Sequence, residues 1–136
     1  MRAPVVAVRP SATLRAAAAV LGQHDIGAVA VVEQGALVGV LSERDVVRAI
    51  ADGADPGCTP VARAMTVEPH VVEPDTPLWA ATMLMLRAGV RHLPVAERGR
   101  AVGMLSIRDA LAVMERDRII EPGSHIETVH DPLGPT

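Results

Sequence analysis

Aromatic side chains are almost missing from this chain: Trp79 stands alone, and there is no phenylalanine or tyrosine among 136 residues. Base-stacking platforms need aromatic rings and backbone binding needs a basic excess, whereas here 16 acids outweigh 13 bases for a net charge of -3, which argues against nucleic-acid binding. Lysine is absent too, every base being arginine, so no lysine is available as a nucleophile. Cys58 is the single cysteine, which excludes an intramolecular disulfide and a cysteine-rich metal site and reads as a loop thiol between Gly57 and Thr59. No apolar run approaches the roughly 18 residues that span a bilayer, and the chain is expected to be soluble and cytoplasmic.

With so few rings, the core must be built from Val, Leu, Ile, Ala and Met. The pattern that organises it occurs twice. Val38-Gly39-Val40-Leu41-Ser42-Glu43-Arg44-Asp45 returns as Val102-Gly103-Met104-Leu105-Ser106-Ile107-Arg108-Asp109, 64 residues later. The same gapless offset carries Val8 onto Val72, Pro10 onto Pro74, Leu14 onto Leu78, Ala17 onto Ala81, Val31 onto Val95 and Gly35 onto Gly99. The chain is an internal duplication. The arginine-bearing, acid-free start resembles a targeting leader, yet Val8, Pro10 and Leu14 have counterparts in the second half, so that stretch belongs to the fold.

Each half reads as β-α-β-β-α. In the first, a strand at Val5 to Val8 precedes a helix at Thr13 to Gly22, a hairpin of Gly27 to Val32 and Ala36 to Leu41, and a helix starting at Ser42. Pro56, Gly57 and Pro60 mark a linker, and a helical turn is expected at Val61 to Met65. The second half predicts a strand at His70 to Val72, a helix capped by Thr76 with Pro77 as its first residue, a hairpin of His92 to Ala96 and Ala101 to Leu105, and a helix from Ser106 to about Arg116. Trp79 is expected to pack in the core. The expected division is residues 1–58, 59–118 and an extended or disordered tail at 119–136, and the fold class is mixed α/β with two pseudo-symmetric repeats in one body.

A strand that enters a helix at a small residue makes an anion site, because the first helix amides are unpaired and the dipole is positive there. Gly39 and Gly103 would let a ligand approach the backbone, Ser42 and Ser106 offer hydroxyls, and Asp45 and Asp109 can accept ribose hydroxyl hydrogens. The same Ser-x-x-Asp spacing is also a capping box, in which the pair serves only the helix. Both readings stand at this point. His125, Glu127 and His130 match no zinc spacing, and His24 beside Asp25 reads as a loop pair, so neither a metal site nor a catalytic dyad is expected.

From Val5 to about Arg116 the chain resembles a pair of cystathionine-β-synthase (CBS) domains, the regulatory tandem called a Bateman module, and in particular the small stand-alone CBS-pair proteins. The resemblance rests on the two G-h-h-S-x-x-D segments, on Arg91-His92-Leu93-Pro94-Val95 and on Ala64-Met65-Thr66. It implies an adenosine-containing ligand such as AMP, ATP or S-adenosylmethionine in clefts between the repeats, with no cofactor required. It further implies that Asp45 and Asp109 hold ribose, that Ser42 and Ser106 help at ribose or phosphate, that Val40 and Met104 line the base pocket, and that Arg91 and His92 meet phosphate, with Gly39, Pro94 and Gly103 completing the set. Arg91 and His92 correspond to Gly27 and Ala28, so the two clefts should be unequal. At most one good site is expected, assembled with Arg91 and His92 opposite Ser42 and Asp45. Met1 falls on Met65, so the turn that leads into the second repeat has no counterpart before the first. The expectation is a non-enzymatic sensor acting through a homodimer on an unknown protein partner in trans; the alternative is an interaction protein that keeps the fold and binds no nucleotide.

Overall fold

The computed structural model describes residues 5–117; the tail, with His125, Glu127 and His130, and Met1 lie outside the described residues. The chain divides into two units, one spanning Val6–Pro69 and the other containing His70 onward.

In the N-terminal unit the order is β1 (Ala7–Val8), α1 (Leu14–His24), β2 (Ala28–Glu33), β3 (Ala36–Ser42), α2 (Glu43–Ala51), a 3-10 turn (Val61–Arg63) and β4 (Thr66–Val67). The strands form one sheet in the order β1-β2-β3-β4, with β1 parallel to β2 and the other pairs antiparallel. Thr13 caps α1 by accepting the Ala16 amide at 3.1 Å. The helix stops at Asp25, whose φ of 54° is left-handed. Helical spacing turns Leu14, Ala17 and Leu21 inward against Val29, Val31 and Leu41 of the sheet and Val46 of α2. Val61 joins this core, fully buried. Residues 59–69, which by sequence order lead into the second repeat, therefore pack in the first unit. The amides of Leu14, Val61 and Ala62 bond to the carbonyls of Thr59, Ala12 and Pro10, tying this strap to the start of α1.

The C-terminal unit holds α3 (Leu78–Ala88), β5 (His92–Glu97), β6 (Arg100–Ser106) and α4 (Ile107–Asp117). Its core is Val72, Leu78, Ala81, Met85, Leu93, Val95, Leu105, Ala110 and Met114. The duplication persists in detail. Ala28 pairs with Ser42 and His92 with Ser106, and the ladder slips after Val31 in one hairpin and after Val95 in the other. The turns repeat as well, Gln34 and Gly35 at φ 53° and 82° matching Arg98 and Gly99 at 56° and 80°. Core volume is exchanged between equivalent positions: Val29 becomes Leu93 while Val46 becomes Ala110.

Three local expectations change. The predicted strand at 70–72 shrinks to one bridge, Val72 with Val95. Thr76 does not cap α3: its hydroxyl accepts the Glu73 amide at 3.0 Å, closing a turn, and Pro77 occupies the cap with no side-chain bond. A threonine hydroxyl here serves the preceding loop in preference to the helix. Trp79 is 38% exposed, because the helical period that sends Leu78, Ala81 and Met85 inward turns Trp79 out with Met83 and Leu86.

Candidate functional site

The repeated junctions lie where β3 enters α2 and where β6 enters α4. At the first, Ser42 keeps an extended backbone and its Oγ accepts the Asp45 amide at 3.1 Å, while its own amide donates to Asp45 Oδ2 at 3.0 Å. The capping box is complete. Arg48 brings a guanidinium nitrogen to 3.9 Å of Asp45 Oδ1, a weak pairing at the helix surface. At the second junction Ser106 Oγ accepts the Asp109 amide at 2.9 Å.

The unpaired amides expected at these helix starts are partly consumed. The Glu43 amide donates to the carbonyl of Gly27 at 2.9 Å, and Ile107 donates to that of Arg91 at 2.8 Å. Two of the first three amides of each helix are thus already bonded, so a bare backbone anion nest is not what the junction offers. A serine that accepts an amide still has its hydroxyl hydrogen to donate, and a carboxylate that spends Oδ2 on a cap keeps Oδ1. The chemistry left at the first junction is one donor and one acceptor, suited to the hydroxyls of a sugar.

The space beside Gly39 is occupied within the N-terminal unit. A Cβ built there would lie 2.7 Å from Met65 Sδ and 2.9 Å from the Thr66 carbonyl oxygen. Its missing side chain admits the strap of residues 65–66. Val40, Pro94, Gly103 and Met104 are buried as well.

The second junction is the more polar. His92 pairs with Ser106 across the β5–β6 ladder, so the two share a face. Arg91 is exposed beside it. Burial, and secondarily the Arg91 charge, lowers the His92 pKa to about 4. At neutral pH the pair therefore carries one positive charge, on an arginine able to grip phosphate oxygens with two donors. The first junction has Gly27 and Ala28 in those places and no equivalent cation. The structure thus gathers Gly39, Val40, Ser42 and Asp45 in the N-terminal unit and Arg91, His92, Pro94, Gly103, Met104, Ser106 and Asp109 in the C-terminal one. Sequence reasoning missed the Gly27 and Arg91 carbonyls; their common place in the 64-residue repeat was the available signal.

Elsewhere, an open pocket of about 650 Å³ is lined by Arg9, Ser11, Glu33 and Gln34 at the turn end of β2. It contains none of the expected residues. Among the described residues there is no cluster of three His, Cys, Asp or Glu that could hold a metal, and no helix is long and apolar enough to cross a membrane. Cys58 is exposed in its loop.

Comparison with known proteins gives the same duplication. The CBS domain family matches residues 1–52 and again 61–116. The CBS domain-containing protein YhcV of Bacillus subtilis is 38% identical over 110 residues, covering 80% of this chain and 78% of that protein. Some curated relatives are longer: the chain spans 64% of one from Acidianus ambivalens and 50% of the mitochondrial CBSX3 of Arabidopsis thaliana. Among solved structures, the CBS-domain protein ATU1752 of Agrobacterium tumefaciens superposes with a TM-score of 0.74 at 35% identity, covering 85% of this chain and 90% of that one. PAE2072 of Pyrobaculum aerophilum, solved with AMP, gives 0.74 at 28% identity over 88% of this chain and 95% of its own. With an α-β-β-α arrangement in both halves, a serine–aspartate junction in each and both halves matched separately, this chain belongs to the CBS-domain family as a tandem pair.

Proposed function

We propose that this chain is a non-enzymatic, cytoplasmic ligand sensor that binds an adenosine-containing molecule at its strand–helix junctions. The observation that carries the reading is the adjacency of Arg91 and His92 to Ser106 at the start of α4, a cation and a hydroxyl on one junction. Arg91 takes phosphate, Ser106 donates to ribose or phosphate, and Asp45 and Asp109 accept ribose hydroxyls. AMP in the Pyrobaculum relative supports this ligand class. The first junction, with Gly27 and Ala28 in the places of Arg91 and His92, makes the weaker contribution. Binding biases a homodimer whose contact faces include the exposed Val47 and Leu111, equivalent positions on α2 and α4. A ligand shifts such an assembly only by its differential affinity for the two arrangements.

A thermal-shift series with AMP, ADP, ATP, NAD and S-adenosylmethionine tests the reading. A ligand at about 100 times its dissociation constant should add roughly 2.7 kcal/mol of stability, several degrees for a domain of this size. The shift should vanish in Arg91→Ala. No shift with any of the five ligands would remove the sensor reading.

The second reading, an interaction protein that binds no nucleotide, is favoured by one observation: Ser42 and Asp45 are both engaged in the capping box. Asp45→Asn separates the two. As a cap alone it should cost about 1 kcal/mol or less and leave ligand affinity unchanged. As a ribose acceptor it should weaken binding at least tenfold, measured by calorimetry.

A further inference from the structure

The two units differ in charge at the end where the first helix of each stops, the hairpin starts and the second helix begins. The offset of 64 aligns residues 22–28 with 86–92 and residues 42–45 with 106–109. In the N-terminal unit these segments carry Asp25, Glu43 and Asp45 with Arg44 and His24, and Asp45 already faces Arg48. In the C-terminal unit Gly89 and Ile107 stand in the places of Asp25 and Glu43, while Arg87 and Arg91 stand in those of Gln23 and Gly27. Arg108 keeps the place of Arg44. The same backbone arrangement thus carries an excess of acid in one unit and an excess of base in the other.

The fold gathers the three arginines. The Ile107 amide bonds to the Arg91 carbonyl at 2.8 Å, which sets Arg108 one residue from the partner of Arg91. Arg87 belongs to the last turn of α3, four residues before Arg91. All three are exposed, and among the described residues none of them is in an ion pair. Like charges crowded at one place favour a bound polyanion, and each guanidinium can offer two parallel donors to phosphate oxygens. Ser106 and Asp109, the pair suited to a sugar, sit at the same junction, so phosphates leaving the ribose meet arginines and not carboxylates.

We propose that the C-terminal junction selects its ligand by phosphate number and takes an adenosine di- or triphosphate, with Arg91 on the first phosphate and Arg87 and Arg108 on those beyond it. This deepens the nucleotide reading above and rests on it. AMP uses only the Arg91 part of the cluster. S-adenosylmethionine, whose sulfonium brings a positive charge, is repelled by it.

Calorimetry on the full chain in magnesium-free buffer, with AMP, ADP, ATP and S-adenosylmethionine, tests the proposal. ATP should bind at least about tenfold more tightly than AMP, with ADP between them and S-adenosylmethionine weakest. In the double variant Arg87→Gln, Arg108→Gln the advantage of ATP should fall to about threefold or less while AMP affinity stays within about twofold, since glutamine keeps an exposed helical position helical without the charge. Added salt should narrow the advantage as well, because exposed charges are screened. Equal affinity for AMP and ATP, or an ATP advantage that survives the double substitution, would overturn the proposal and leave the adenosine reading standing. Loss of AMP binding in the double variant would overturn the roles given to Arg87 and Arg108. No binding by any of the four ligands would overturn the proposal together with the reading it rests on.

Discussion

Replacing Gly39 by valine should destabilise the N-terminal unit by about 3 kcal/mol or more, and by alanine by about 1–3 kcal/mol, the range for overpacking a filled site. The clash has two parts of different kinds. Met65 Sδ, 2.7 Å from the added Cβ, ends a flexible side chain and can swing aside. The Thr66 carbonyl oxygen, at 2.9 Å, belongs to a residue held in the β3–β4 ladder and moves only with the strand. Met65→Ala should therefore relieve only part of the cost of Gly39→Ala. Urea unfolding followed by circular dichroism measures both. The opposite outcome, full stability with ligand binding lost, would return this glycine to a role in ligand approach. The strap matters because it brings Val61 into the core and holds the end of the linker against the sheet.

Acidification should weaken the C-terminal unit through His92. Its folded pKa of about 4 lies below the ordinary 6.5, with burial as the larger cause and Arg91 as the smaller. Between those values the unfolded chain holds a proton that the folded chain does not. The sign follows: the contribution of His92 to stability is complete above about pH 6.5, falls as pH drops toward 4, and changes no further below that. A depression of this size corresponds to about 3 kcal/mol at the acidic limit. Carboxylates titrate in part of the same window, so the quantity to measure is the difference between the natural chain and His92→Gln in unfolding free energy from pH 7.5 to 4. The difference should change with a slope favouring the natural chain at higher pH. Parallel curves would mean that the imidazole is hydrated and free to charge in the folded state. Arg91→Ala should recover only the smaller share.

A phosphate bound beside His92 would act against this shift, since a nearby anion favours the imidazolium. Nucleotide binding would then be accompanied by proton uptake. Calorimetry in buffers of different ionisation enthalpy reads that directly.

Much of the architecture could be read from residues alone because duplication and periodicity are written along the chain. The offset of 64 set the two repeats, and the inward positions Leu14, Ala17 and Leu21 with Leu78, Ala81 and Met85 followed from a period of 3.6. Caps are local too, and Ser42 with Asp45 was legible as either a cap or a ribose clamp because both uses require the same three-residue spacing. Folding in space settled the questions that turn on distant partners. Gly39 is a glycine because residues 65 and 66, more than 25 positions away, lie against it. The first amides of α2 and α4 are bonded because the carbonyls of Gly27 and Arg91, 16 residues upstream, reach them across the hairpin. Trp79 faces outward although its hydrophobicity argued for the core, and Thr76 turned to Glu73 although its spacing suited the helix. A hydrogen bond or a close approach between distant segments leaves no periodic trace in either of them, so it is decided only when packing brings both to one place.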